Sequence, residues 1–183
     1  MLITEAPGIL VSMPALKDSY FEKTVILLCS YDQEGAFGLV MNHPSNTRVK
    51  DFLSDDIKEN DIFNIPLLVG GPVQPDSFWA VHSSDFSVEE TTIISPNINL
   101  TSAQDLLASL SKGQVVESYQ FGSGYAGWSA GQLDREILEE SWWLGPLDEN
   151  ILFETEYELR WNTTMENLGF DLLTTNFSQT GKV

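Results

Sequence analysis

Short apolar runs separated by polar, glycine-containing connections recur along most of the chain, a pattern that predicts strands. The runs at residues 24–29 and 36–41 are apolar on both faces and are joined by the polar residues 31–35. They predict a hairpin in the middle of a covered sheet, because neither strand has a face suited to water. Further strands are predicted at residues 8–12, 66–72, 78–82, 91–94, 98–100, 115–121 and 151–153.

Apolar residues spaced three and four apart predict helices between these strands. The best delimited helix begins after Thr101 or Ser102 and ends at Gly113. Other helices are predicted near residues 48–54, from Ala130 and from about Glu156, and the acidic residues 55–61 are predicted to form a solvated loop. The chain shows neither internal repeats nor a low-complexity linker, so it is predicted to be one α+β domain, residues 1–183, built on a mixed sheet. Residues 174–183 are expected to fray.

The window Phe121–Ile137 carries more local constraint than any other part of the chain, with four glycines, three aromatics and a helix start. Ser129 and Gln132 match the Ser-x-x-Gln capping box, in which the serine accepts a hydrogen bond from the Gln132 amide and the glutamine side chain reaches back. A helix is therefore predicted to begin at Ala130, directly after a glycine-rich loop.

The glycines of this loop admit more than one interpretation. Their G-x-G-x-x-G spelling at residues 122–127 follows a predicted strand, as in dinucleotide-binding folds, but the capping box starts the helix beyond the third glycine. We therefore interpret the spelling as incidental. The amides of residues 127–131 could still hold a phosphate or carboxylate at the helix N-terminus. The favoured interpretation is that the glycines turn the chain while Tyr125 and Trp128 pack over the sheet.

Few side chains offer catalytic or metal chemistry. His82, on a predicted strand, and His43, in a turn, are the two imidazoles, and neither has the spacing of a metal site. Cys29 lies inside an apolar run and is interpreted as a small packed hydrophobe. Residues 122–124 lack the nucleophile elbow of serine hydrolases. No catalytic residue, metal or cofactor is therefore predicted.

Charge restricts the partners. Nine Lys and Arg residues stand against 27 Asp and Glu residues, which gives a formal net charge of -18, and the cations are scattered. Non-specific DNA affinity depends on cations that displace condensed counterions, so direct nucleic-acid binding is not expected. The N-terminus has no basic region of the signal-peptide type, and no window reaches the ~18 continuous apolar residues of a membrane span. A cytoplasmic protein without membrane association is expected.

Several motifs, taken in order, resemble the bacterial YqgE/AlgH family over nearly the whole chain. They are Ile9–Pro14, Asp18 with Tyr20–Glu22, Glu34–Asn42, Gly70–Val73, Ala80–His82, Leu100–Ser102 and above all Gly124–Ile137. The resemblance implies a cytoplasmic protein with a compact α+β fold, built on a large mixed, partly barrel-like sheet flanked by helices. Some members are labelled transcriptional regulators, and the family supplies no catalytic residues. Here His43 stands where the family more often has Lys or Arg, and the chain is unusually acidic, so a nucleic-acid role is weakened further.

Two functions are left open by these observations. The leading hypothesis is a non-enzymatic cytoplasmic protein that acts in regulation by binding a protein partner or a small ligand. The alternative is a sensor or enzyme that holds a small anionic ligand at residues 122–131. Gly71 is a candidate because the Gly-Gly-Pro turn lets the backbone approach a ligand closely. The candidate ligand-binding residues are Gly71, His82, Tyr125, Gly127, Trp128, Ser129, Gly131 and Gln132.

Overall fold

The computed structural model describes residues 6–171 and divides the chain into two compact units. We call residues 1–37 with 128–183 the terminal unit and residues 38–127 the central unit. The expected fraying of residues 174–183 lies outside the described residues, and the single-domain expectation stays a prediction. No helix within residues 6–171 is both long enough and apolar enough to cross a membrane.

The described chain contains ten strands, five α-helices and two short 3-10 helices. The strands are β1 (Gly8–Ser12), β2 (Val25–Asp32), β3 (Gly35–Val40), β4 (Pro44–Arg48), β5 (Pro66–Val69), β6 (Val73–Ser83), β7 (Thr92–Ser95), β8 (Ile98–Ser102), β9 (Tyr119–Ser129) and β10 (Trp142–Gly145). The α-helices are α1 (Asp55–Lys58), α2 (Ala103–Ser111), α3 (Gln132–Leu138), α4 (Glu149–Phe153) and α5 (Tyr157–Asn167). The 3-10 helices are Val49–Phe52 and Asp61–Phe63.

In the terminal unit the strands follow the order β10-β1-β2-β3. β1 is antiparallel to both neighbours, with Ile9 opposite Gly145 and opposite Leu27, and all five of its residues are buried. Helix α5 packs against β1 and β2, and the Trp161 indole donates a 2.8 Å hydrogen bond to the Ser12 carbonyl. The strands β2 and β3 are neighbours in this order, so the predicted hairpin of two apolar strands is confirmed.

In the central unit β9, β6, β8 and β7 form an antiparallel series, whereas β5 runs parallel to β9 and pairs with β4. This combination makes the sheet mixed. Helix α2 packs on β6 and β8, and the Ser102 hydroxyl accepts a hydrogen bond from the Asp105 amide, as the sequence predicted for this helix start. Leu106 and Leu110 pack in the buried core beneath it. The predicted α+β architecture, a mixed sheet flanked by helices, is confirmed.

Three local predictions of secondary structure were wrong. Residues 151–153 belong to helix α4, because the Asp148 carboxylate caps that helix by accepting from the amides of Asn150 and Ile151. The acidic segment 55–61 is not a continuous loop but includes α1 and the start of a 3-10 helix. The predicted helix near residues 48–54 is reduced to a single 3-10 turn that follows the polar strand β4.

The glycine-rich segment is also corrected. The predicted strand at residues 115–121 begins at Tyr119 and continues as β9 through the glycines to Ser129. These glycines therefore lie in a paired strand, with Gly122 opposite Trp79 and Tyr125 opposite Val73 on β6. Helix α3 begins at Gln132, two residues later than predicted.

Candidate functional site

The glycines of β9 are explained by close packing within the central unit. A Cβ on Gly122 would lie 2.2 Å from Cζ2 of Trp79, and a Cβ on Gly71 would lie 1.9 Å from the Tyr125 carbonyl carbon. The Trp79 indole is buried and donates a 2.7 Å hydrogen bond to the Gly124 carbonyl. Among the candidate residues, Gly71 and Tyr125 are thus brought together, but as backbone packed on backbone.

His82 lies in the core of the central unit with no exposed surface. Its Nδ1 lies 2.9 Å from the Ser83 carbonyl, which can only accept, so Nδ1 carries the proton. Its Nε2 lies 3.2 Å from the Thr101 hydroxyl, and its ring meets Phe86 edge to face at 5.1 Å. Burial lowers the pKa of this imidazole and outweighs the opposing effects of the Ser83 carbonyl and the Asp85 charge. The neutral ring has both nitrogens occupied by neighbours of its own chain.

Trp128, Ser129, Gly131 and Gln132 lie at or near the start of α3 in the terminal unit. Gly127 is exposed on β9 in the central unit. Gly131 is the exposed N-cap of α3, with a left-handed backbone, and no side chain caps the helix there. Half of the predicted capping box forms, since the Ser129 amide donates to Gln132 Oε1 at 3.1 Å. The Ser129 hydroxyl also contacts that oxygen, at 3.2 Å, so it does not serve the Gln132 amide as predicted.

A carboxylate of the chain itself occupies the polar site next to these residues. Glu136 Oε2 accepts from the indoles of Trp128 and Trp142, and Glu136 Oε1 accepts from the Gln132 amide group, each at 2.9 Å. Trp128 and Trp142 are buried and pack edge to face. Three donors that an anionic ligand would need are therefore turned towards Glu136, whose charge repels a second anion. The sequence analysis did not single out this glutamate.

The central unit contains an apolar cleft of about 250 Å³. Its walls include Phe52 and Phe78, which are 57% and 41% exposed and contact each other edge to face at 5.5 Å. Four lining residues also belong to the buried core, so the cleft has the core as its floor. The lining residues are Val49, Phe52, Leu67, Phe78, Ala103, Gln104, Leu107 and Phe121.

None of the cleft residues was a candidate from the sequence. The spacing of Val49 and Phe52 indicated an amphipathic helix with both side chains turned inward, whereas the 3-10 geometry buries Val49 and exposes Phe52. The signal that could have identified the site is a phenylalanine one or two positions after an aspartate, as in Asp51-Phe52 and Asp76-Ser77-Phe78. Such a pattern is weak without the tertiary structure.

Reactive groups elsewhere in the described residues are poorly placed for chemistry. Burial raises the pKa of the Cys29 thiol to about 12, so the nucleophilic thiolate is scarce at neutral pH. Within residues 6–171, no three His, Cys, Asp or Glu side chains lie together as metal ligands would.

Comparison with known proteins identifies relatives along most of the chain. The model of the AlgH-like family matches residues 9–173. A UPF0301 protein of Pseudoalteromonas translucida (strain TAC 125) is 35% identical over 167 residues, which cover 89% of this chain and 90% of that protein. A UPF0301 protein of Xanthomonas campestris pv. campestris (strain B100) is 34% identical over 170 residues, which cover 91% and 90% of the two chains.

Two solved structures share the fold. The solution structure of the AlgH protein from Pseudomonas aeruginosa has a TM-score of 0.77 and 30% sequence identity, with 100% of this chain and 98% of that chain covered. The crystal structure of the protein DIP2367 from Corynebacterium diphtheriae has a TM-score of 0.72 over 89% of this chain and 87% of that chain. Its 22% identity supports likeness of fold alone.

Proposed function

We propose that this chain, which belongs to the AlgH-like family, is a non-enzymatic binding protein that holds an apolar group of its partner in the cleft beside Phe52 and Phe78. The observation that carries the proposal is the exposure of these two rings over a floor of core residues. Fully burying an exposed phenylalanine side chain is worth ~1.5–3 kcal/mol, so covering the exposed part of each of these rings is worth about half of that. Clefts with apolar linings and few polar groups are the usual form of ligand sites.

The placement of the reactive residues supports binding over catalysis. A general base must reach the proton that it removes, but His82 has no exposed surface and its ring nitrogens face Ser83 and Thr101. The carboxylate of Glu136 is held by three donors of its own unit. From the resemblance to family members that are labelled regulators, we also propose a regulatory role and a cytoplasmic location.

The alternative, a small anionic ligand at residues 122–131, stays a hypothesis that the geometry disfavours. The glycines of this segment pack in β9, and Glu136 supplies a negative charge beside Trp128 and Gln132. Helix α3 has seven residues, so its N-terminal dipole is weak as an anion site. No observation favours this function over apolar binding.

The proposal is tested with benzyl alcohol, a neutral aromatic probe, added to ¹⁵N-labelled protein while amide shifts are followed by NMR. We expect saturable shifts that cluster at Phe52, Phe78 and Leu107. The Phe78→Ser variant removes an exposed wall of the cleft and should weaken probe binding by about tenfold, or ~1.4 kcal/mol. Ile93→Ser is the matched control, because Ile93 is 75% exposed on β7 and does not line the cleft. Shifts scattered over the surface, or equal binding by both variants, contradict the proposal.

A further inference from the structure

We infer that the natural occupant of the cleft is an apolar side chain carried by a positively charged segment of a protein partner. This inference rests on the binding function proposed above and adds the chemistry of the partner. It follows from the charges in and around the cleft.

The lining itself carries no charge among the described residues that form it. Gln104 is the one polar side chain there, and the rest are apolar. A fatty acid or a phospholipid would bring an anionic head group that finds no Lys or Arg in the lining. The site therefore suits an apolar group without a negative charge of its own.

Carboxylates flank the lining on three elements of the central unit. Asp51 directly precedes Phe52 in the 3-10 turn. Asp76 lies two residues before Phe78 on β6, and Asp105 lies on α2, which also supplies lining residues. Negative charge thus lies close in sequence to the lining residues of three of the five elements that form the cleft, whereas β5 and β9 carry none. This charge attracts a cationic partner and repels an anionic one.

Cations nearby reduce this negative charge but do not cancel it. Residues 48–61 contain five carboxylates and three cations, and Asp76 and Asp105 have no cation next to them in the sequence. The Lys58 ammonium forms an ion pair with Asp55 at 2.9 Å, and the Arg48 guanidinium donates to the Asn64 carbonyl at 3.3 Å. Hydrogen bonding to Lys58 lowers the pKa of Asp55, which is therefore ionised at neutral pH.

The separation of these carboxylates favours a peptide over a small cation. Two residues along a strand span ~7 Å. A partner that contacts both Asp76 and Phe78 therefore needs a positive charge and an apolar side chain about one extended dipeptide apart. A peptide segment with lysine or arginine on either side of an apolar residue can contact several of these carboxylates at once. A single small cation can contact only one of them.

The test measures the binding of three short fluorescent peptides by anisotropy at low salt. The first peptide carries leucine and phenylalanine anchors among lysines, and the second carries the same anchors among glutamates. The third keeps the lysines and has serine in place of the anchors. We expect the first to bind at least about tenfold tighter than either of the others, and its affinity to fall as salt is raised from 50 to 500 mM. Asp51→Asn/Asp76→Asn should weaken it several-fold. Glu89→Gln/Glu90→Gln is the matched control, since it removes two charges from a loop that does not line the cleft.

The outcomes separate this inference from the function on which it rests. Equal binding of the lysine and glutamate peptides, or equal losses in the two charge variants, overturns the cationic partner. Binding of the lysine–serine peptide as tightly as the anchored peptide also overturns it, because attraction without an anchor is non-specific. If benzyl alcohol binds the cleft while no peptide does, the inference fails and the binding function stands. If benzyl alcohol does not bind either, the function itself is wrong.

Discussion

At the scale of single residues, the glycine signature of β9 is a packing device for a tryptophan. Trp79 is buried, its ring lies where a side chain at position 122 would begin, and its indole nitrogen donates to the Gly124 carbonyl. The ring is fixed by that hydrogen bond and by the core, so it has little freedom to move aside. The same residues that suggested a cofactor motif thus serve the fold.

This packing predicts the effect of adding one methyl group. Gly122→Ala should lower the free energy of unfolding by ~2 kcal/mol, because its Cβ would overlap the Trp79 ring. Gly127→Ala is the control, since the nearest atom to its added Cβ is Tyr125 Cε2, at an ordinary 3.4 Å. Urea unfolding followed by tryptophan fluorescence measures both. Equal stability of the two variants contradicts this account of the motif.

At the scale of elements, the sequence predicted one helix start correctly and another incorrectly. Ser102 caps α2 as predicted, because its hydroxyl accepts from the Asp105 amide at 3.2 Å. Ser129 looked like an equally good cap, yet Gly131 is the N-cap of α3 and the Ser129 hydroxyl contacts the Gln132 side chain. Each serine is the last residue of a strand, but α2 follows Ser102 directly, whereas Ala130 and Gly131 separate Ser129 from α3.

The two serines therefore predict different costs for the same substitution. Ser102→Ala should lower the free energy of unfolding by ~1 kcal/mol, the usual loss of a helix cap. Ser129→Ala should cost less than about 0.5 kcal/mol, because an exposed hydroxyl that caps no helix contributes little. Chemical unfolding of both variants in parallel gives the comparison, and a larger loss for Ser129→Ala than for Ser102→Ala refutes it.

At the scale of the whole molecule, charge and apolar contact act together on the choice of partner. A net charge of -18 repels nucleic acids and acidic surfaces, although screening confines this effect to ~8 Å at physiological salt. The exposed rings of Phe52 and Phe78 add an attraction that is independent of charge. The two features together agree with the proposed protein partner and disfavour DNA.

The charge leads to a direct expectation for DNA. The protein should not shift random duplex DNA in a gel at micromolar concentration and 150 mM salt, because few cations are present to displace counterions from phosphates. A homeodomain or other basic DNA-binding domain in parallel lanes is the positive control. Retention that weakens steeply with salt shows a local basic surface, and the electrostatic argument is then wrong.

The amino-acid sequence by itself determined the features that depend on neighbours along the chain. The apolar run of β1, the hairpin of β2 and β3 and the capped helix α2 were all predicted, because periodicity, turn residues and caps are local properties. The ordered motifs likewise identified the family. Only the tertiary structure decided the rest. It turned Glu136 towards two tryptophans and brought Phe52 and Phe78, 26 positions apart in the sequence, to one cleft. Contacts between distant residues depend on how the elements pack, and no local pattern records them.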